Sequence, residues 1–140
     1  MSSSASDPTS STTLQYVHWF RHSAPYINAH RGKTFVLMFD GEAVQHDNFQ
    51  HIIHDIALLH SLGIRLILVH GARPQINQQL NVAQIETPFY KQRRITTRES
   101  LTAVMSAVGS IRLQIEALLS MGLANSPMYG ARIDVVSGNF

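Results

Sequence analysis

Short apolar runs that end in glycine turns dominate the pattern of this sequence. Thr34–Phe39 and Arg65–His70 are apolar at most positions, which is typical of strands buried on both faces of a parallel sheet. A glycine follows each run closely, at Gly41 and Gly71. A third run, residues 131–136 ("ARIDVV"), has the same character. The pattern therefore predicts three strands, two of which end in a glycine turn.

An aromatic helical pattern precedes the first strand, over residues 14–29. Its members recur at helical spacing: Tyr16, Val17, Trp19, Phe20, Ala24, Tyr26 and Ile27. Pro25 predicts a kink or a break near Ala24, because proline lacks an amide hydrogen and clashes with the preceding turn. Two partners for this aromatic face stay open: the core of the domain itself, or another subunit.

Two further helices are predicted around the second strand. Asp47 can cap a helix over residues 48–62, and Gly63 can end it. Pro74 suits the first turn of a short helix that ends near Leu80. Residues 83–97 lack helical periodicity and predict a hairpin or loop.

The longest predicted helix follows residue 97. Thr96 and Glu99 have the spacing of a capping box, and Gly122 is placed to end the helix. One apolar stripe runs along it, formed by Leu101, Val104, Met105, Val108, Ile111, Ile115, Leu118 and Leu119.

Alternating strands and helices predict an α/β fold, with a mainly parallel sheet and helices on both faces. Ligands in such sheets bind at the carboxyl ends of the strands. The loops at residues 40–46, 71–74 and 137–140 are therefore the candidates for function. A doubly wound sheet normally has more strands, so we expect the chain to be one lobe of a larger domain.

Composition excludes several classes of function. The chain has 140 residues, 44% hydrophobic, with a net charge of +2 and no cysteine. Disulfides and thiolate metal sites are thus excluded, and nucleic acid or an anionic membrane is a poor partner. No continuous apolar stretch approaches the roughly 20 residues of a membrane span. Residues 1–13 lack a secretory signal and predict a flexible tail, so we expect a cytoplasmic protein.

Two basic stretches are candidate anion sites. Gly71, Ala72 and Arg73 precede a predicted helix, whose free amides and positive dipole end suit a carboxylate or phosphate. The alternative is a tight turn with a solvated Arg73. A second cluster lies at residues 90–99 and comprises Lys91, Arg93, Arg94 and Arg98. It could close over an acidic ligand or form a solvated face.

The eight histidines do not predict a metal site. His51 and His54 lie three residues apart on one predicted helix, but a zinc site needs a third protein ligand that no spacing supplies here. We expect both to be surface residues, and no metal.

Four segments in order resemble bacterial N-acetylglutamate synthase, an amino-acid N-acetyltransferase. They are "FRHSAPYINAHRGKTFVLMFDGEAV", "DIALLHSLGIRLILVHGARPQI", "RITTRESL" and "ARIDVVSGNF". The resemblance implies an amino-acid-kinase (carbamate-kinase-like) fold, with residues 14–32 as an oligomerisation arm and 33–140 as its N-terminal lobe. It also implies a cytoplasmic enzyme of arginine biosynthesis that transfers acetyl from acetyl-CoA to L-glutamate through a C-terminal domain absent from this chain.

The sequence departs from the active kinases of that superfamily at their phosphate site. N-acetylglutamate kinase carries a lysine in its first strand and then a Gly-Gly pair, and its second strand ends in Gly-Gly-Gly. Met38 stands in place of the lysine, and Asp40 precedes Gly41 in place of the pair. Gly71-Ala72-Arg73 replaces the triple glycine. A carboxylate at Asp40 would repel phosphate, so the resemblance implies a catalytically dead kinase site.

The resemblance assigns three other roles. Tyr26 matches a contact to the effector L-arginine, and the first helix matches one that joins subunits of a homo-oligomer. Arg94 matches the arginine that holds the carboxylate of the acyl-amino acid. No catalytic residue and no bound cofactor are expected in this segment. The alternatives are an active N-acetylglutamate kinase-like enzyme, or a stand-alone module that senses arginine.

Overall fold

The computed structural model describes residues 8–121, 129–130 and 133–138. Its five helices and four strands alternate along the described chain. In order they are α1 (Pro8–His30), β1 (Thr34–Phe39), α2 (Gly41–Gln45), α3 (Phe49–Ser61), β2 (Arg65–His70), α4 (Arg73–Val82), β3 (Phe89–Tyr90), β4 (Arg93–Arg94) and α5 (Arg98–Ser120). The α/β class is confirmed, and both central strands have the predicted bounds.

Strands β1 and β2 form a parallel pair, in register from Thr34 opposite Arg65 to Phe39 opposite His70. Their residues alternate between two environments. Leu37, Leu66 and Leu68 pack against the core. The opposite face carries Val36, Met38, Ile67 and Val69, which are 39–81% exposed. The prediction of strands buried on both faces is therefore wrong for the described residues, because α3 and α5 pack on one face of the pair.

The core lies between the sheet, α3 and α5. Its most deeply buried large side chains are Ile53 and Leu119. On α5 the buried apolar residues are Ala107, Ile111, Ile115 and Leu119, at a regular spacing of four. The first half of the predicted stripe is wrong, because Leu101, Met105 and Val108 are exposed.

Helix α1 is longer and less covered than predicted. It begins at Pro8, so residues 8–13 of the predicted tail are helical, and it continues through Pro25, so a break there is wrong. Pro25 has no amide hydrogen to donate to the backbone carbonyl one turn earlier. The helix is exposed around this point, so water can donate to that carbonyl instead. Trp19 and Phe20 are 67% and 73% exposed. The aromatic face therefore does not pack on the core of the domain.

The carboxyl end of α1 is anchored where the chain continues into β1. Gly32 donates its amide to the carbonyl of Gly63 at 2.8 Å, and the ring of His30 meets Phe35 edge-on at 5.4 Å. Gly63 has a φ of 84° and follows α3, as predicted for a helix-ending glycine. Helix α1 is thus fixed at one end and free of core contacts along its aromatic length.

Two predicted helix caps are displaced. Asn48, not Asp47, precedes α3, and it makes no side-chain capping bond. Thr97 and Ser100, not Thr96 and Glu99, form the capping box of α5. The second shift follows from the β3–β4 hairpin, where Ile95 donates its amide to the carbonyl of Pro88 at 2.8 Å and delays the helix. The predicted end of α5 at Gly122 lies outside the described residues.

The third predicted strand is absent from the part of 131–136 that the structure describes. Residues 133–138 form no ladder, and Ala131 and Arg132 lie outside the described residues. Ile133 is nevertheless buried in the core, and Val135 packs against it. The segment thus supplies apolar contacts without strand pairing.

Among the described residues, α5 is the one helix long and apolar enough to cross a membrane by length and composition. The sequence-based expectation that no stretch approaches such a span was too strict. The face of α5 that contains Ile111, Ile115 and Leu119 lies in the protein core. Only 22% of the apolar window of α5 is buried in the described structure, so core packing accounts for the buried face alone.

Candidate functional site

The turns after β1 and β2 pack directly against each other. Gly71 donates its amide to the carbonyl of Phe39 at 2.9 Å. A Cβ atom at Gly71 would lie 3.1 Å from the amide nitrogen of Gly41 and 3.2 Å from the Cα of Asp40. These neighbours are backbone atoms and cannot move aside cheaply. Gly71 is therefore required for the two backbones to approach, which is a structural role independent of any ligand.

Asp40 caps a short helix that the sequence did not predict. Its Oδ1 accepts a hydrogen bond from the amide of Ala43 at 3.0 Å, and α2 follows at Gly41–Gln45. The predicted loop at residues 40–46 is thus largely helical. A carboxylate at a helix N-terminus satisfies a free amide and the helix dipole. Asp40 therefore has a stabilising role in place of the glycine that an active kinase has there.

The side chain of Gln75 fills the space next to Gly41. Its Nε2 donates to the carbonyl of Gly41 at 2.7 Å. A Cβ at Gly41 would lie 2.5 Å from Oε1 of Gln75 and 2.8 Å from Cδ of Pro74. Side chains of α4 thus pack directly against the turn after β1. Sequence reasoning missed Gln75, because its contact with Gly41 joins two elements that are 34 residues apart in the chain.

The amide of Gln75 is only half satisfied. Its Oε1 is buried and has no hydrogen-bond partner among the described residues. A buried unsatisfied acceptor costs about 1–3 kcal/mol. The packing of Gln75 against Gly41 therefore gains the hydrogen bond of Nε2 and carries the cost of the unpaired Oε1.

Met38 lies on the exposed face of β1, beside Val69 of β2, and is 81% exposed. A thioether carries no charge and cannot offset the charge of a phosphoryl group. The position that a lysine occupies in the active kinases is apolar here, on the sheet face that α3 and α5 leave uncovered.

A basic cavity of about 310 Å³ lies between α4, the β3–β4 hairpin and α5. Arg73 and Arg94, the two residues predicted for an anion, both line it. The other lining residues are Ile76, Phe89, Gln92, Arg93, Thr96 and Val104. Among the described residues the one ion pair joins Arg112 and Glu116, so no carboxylate offsets these arginines at short range.

The guanidinium of Arg94 is held in place by three contacts. It donates to Oγ1 of Thr87 and to Oδ1 of Asn77. It also lies over the ring of Phe89, with its central carbon 4.7 Å from the ring centroid. Arg73 begins α4 and is exposed. The cavity is thus lined by three arginines, of which Arg94 is held in place and Arg73 is exposed, and this charge suits an acidic ligand of modest size.

The hairpin beside this cavity has a strained turn. Lys91 and Gln92 have φ values of 46° and 64°, in the left-handed region that favours glycine. The ammonium of Lys91 lies 5.5 Å from the ring centroid of Tyr90. The predicted basic cluster is therefore divided. Arg93 and Arg94 line the cavity, whereas Lys91 lies at the tip of the hairpin and contacts the ring of Tyr90.

Tyr26 lies away from this cavity, on α1. It is 71% exposed and lines a groove of about 400 Å³ with His18, Trp19, His22 and Ser23. The structure thus does not bring Tyr26 together with Arg73 and Arg94. Within the described residues no group of three or more histidine, aspartate or glutamate side chains is arranged to hold a metal ion.

The part of the chain that contains the two turns and the cavity matches a known protein family. The profile of the amino acid kinase family matches residues 33–140. The chain belongs to the amino acid kinase family. The match includes both glycine turns, the basic cavity and α5, and it leaves out α1.

The chain is similar to bacterial proteins named amino-acid acetyltransferase. It is 57% identical over 125 residues to that of Azotobacter vinelandii and 56% identical over 128 residues to that of Proteus mirabilis. These matches cover 89% and 91% of this chain but 29% of each relative. The chain therefore spans less than a third of the relatives it matches.

The chain is also similar to a solved structure. The N-acetylglutamate synthase of Neisseria gonorrhoeae, complexed with coenzyme A and N-acetyl-glutamate, matches with a TM-score of 0.66 and 33% identity. The match covers 78% of this chain and 26% of that protein. The resemblance to N-acetylglutamate synthase found in the sequence is thus confirmed.

Proposed function

We propose that this chain is the kinase-like lobe of an N-acetylglutamate synthase, and that it regulates and assembles the enzyme without transferring phosphate. The whole protein would acetylate L-glutamate with acetyl-CoA in the first step of arginine biosynthesis. Support comes from relatives named amino-acid acetyltransferase and from a related synthase that binds coenzyme A and N-acetyl-glutamate. The chain itself would hold no acetyl-transfer residue and no cofactor.

The observation that carries this proposal is the turn at Asp40 and Gly41. Asp40 places a carboxylate there and caps α2, and the side chains of Gln75 and Pro74 come within 2.8 Å of where a Cβ of Gly41 would stand. A phosphoryl group needs free backbone amides and a cation at that place. An active N-acetylglutamate kinase is therefore the weaker alternative.

We further propose that α1 is the oligomerisation arm and that Tyr26 contacts the effector L-arginine. The exposed aromatic residues of α1 support the first part, because monomeric proteins rarely leave large apolar patches uncovered. The position of Tyr26 in a groove of that helix supports the second. The basic cavity at Arg73 and Arg94 would bind an acidic ligand. A cytoplasmic location remains a prediction.

A stand-alone arginine sensor is the second candidate, and the uncovered face of α1 is compatible with it. The native mass separates the two. We would detect the protein in its source cells through a peptide from α5 and measure its intact mass. The synthase proposal predicts about three times the 15.6 kDa of this chain, given the coverage of its relatives. A mass of 15.6 kDa would favour the sensor.

A further inference from the structure

Two histidines on α1 face each other in the groove that Tyr26 also lines. His18 and His22 lie four residues apart, one turn along the helix, and their Nε2 atoms are 3.0 Å apart. Their ring centroids are separated by 4.2 Å. Residues at this spacing share a helix face, so one backbone turn fixes the separation of the two imidazoles. Both are exposed, which leaves their nitrogens accessible to a small ion.

The distance between the two nitrogens matches that of a chelating pair. Imidazole nitrogens bind a divalent metal at about 2.0–2.1 Å, so atoms 3.0 Å apart subtend about 95° at the metal. An angle near a right angle is that of square-planar or octahedral coordination, which Cu²⁺ and Ni²⁺ adopt.

We propose that His18 and His22 form a two-histidine site for a divalent transition metal with tetragonal coordination. The Nε2 atoms would supply two adjacent ligands, and water would occupy the remaining positions. The competing explanation is a plain hydrogen bond, in which one ring donates to the other. The two states are exclusive, because the hydrogen bond needs a proton on one Nε2, whereas metal binding needs both Nε2 atoms unprotonated, with the ring protons on Nδ1.

The chain contains a matched pair that serves as a control. His51 and His54 lie on α3 at a spacing of three residues, and their ring centroids are 6.3 Å apart and nearly perpendicular. This pair does not converge as His18 and His22 do. It therefore tests whether two neighbouring histidines on any helix of this chain suffice for binding. The inference does not depend on the proposed function of the chain.

The test is calorimetric titration of the untagged 140-residue chain with nickel chloride at neutral pH. We expect saturable binding that weakens at least about tenfold in His18→Gln and in His22→Gln, a loss equivalent to about 1.4 kcal/mol. The double variant His51→Gln/His54→Gln should bind as the unaltered chain does. No saturable binding at millimolar nickel, or binding unchanged by both α1 substitutions, would overturn the proposal.

Discussion

At the scale of single residues, the turns after β1 and β2 carry the proposal that the kinase-like site no longer binds a phosphate. Asp40 was predictable as a departure from a phosphate turn, since a carboxylate there opposes an anion. Its positive role was not predictable, because α2 is too short to show a helical pattern in the sequence. Gln75 was also beyond sequence reasoning, because its contact with Gly41 spans two elements.

Replacing Asp40 with alanine should destabilise the chain by about 1 kcal/mol through loss of the α2 cap. Asp40→Asn is the control, because asparagine caps helices about as well as aspartate. Urea unfolding of the chain measures both. Equal losses in the two variants would show that the charge of Asp40, and not its capping bond, stabilises this turn.

Glycine positions give a second test at this scale. Gly71→Ala should cost about 1–3 kcal/mol, because its Cβ would press on the backbone of Asp40 and Gly41. Gly109 lies inside α5, and a Cβ there would meet nothing within 4 Å. Gly109→Ala should therefore stabilise the chain by about 0.5–1 kcal/mol. A stable Gly71→Ala chain would contradict the close packing of the two turns.

At the scale of elements, apolar runs located β1 and β2 to the residue, and Gly63 and Pro74 marked helix ends correctly. The start of α5 was displaced by one residue. Thr96 has a glutamate three residues on, as a capping box favours, but in the structure Thr97 forms the box with Ser100, and Ile95 still bonds Pro88 in the hairpin. The prediction of a third strand was wrong for the described residues. Ile133 and Val135 contact the core, but their segment pairs with no described strand.

Thr97→Ala should lower the free energy of unfolding by about 1 kcal/mol, because it removes the acceptor for the amide of Ser100. Thr96→Ala removes a hydroxyl without a capping bond and should change stability by less than about 0.5 kcal/mol. Thermal unfolding of both variants compares them directly. A larger loss in Thr96→Ala would restore the capping box that the sequence suggested.

At the scale of the whole molecule, apolar side chains fall into two populations. The core is formed by α3, α5 and one sheet face, whereas α1 and the other sheet face are exposed. The periodicity of α1 correctly predicted a helix, but no pattern within one chain can say what covers it. The same limit applies to Val36 and Met38, whose apolar character predicted burial that the described residues do not provide.

Shortening a core side chain and shortening exposed side chains of α1 should therefore change the free energy of unfolding by very different amounts. Ile53→Ala should cost about 2–5 kcal/mol, because Ile53 is 1% exposed in the core. Trp19→Ala/Phe20→Ala should change unfolding by less than about 0.5 kcal/mol at concentrations where the chain is monomeric. The same double variant should abolish self-association, which sedimentation velocity measures. Self-association unchanged by it would remove the support for α1 as the assembly arm.

The central claim is that acetyl transfer is present in the whole protein and phosphoryl transfer is lost. The most direct measurement is one incubation of the natural full-length protein with L-glutamate, acetyl-CoA and MgATP, followed by analysis of the products. The product of acetyl transfer, N-acetylglutamate, is also the substrate a working kinase site would use. We predict that N-acetylglutamate and free coenzyme A accumulate while no ADP forms. ADP formed in proportion to N-acetylglutamate would contradict the account.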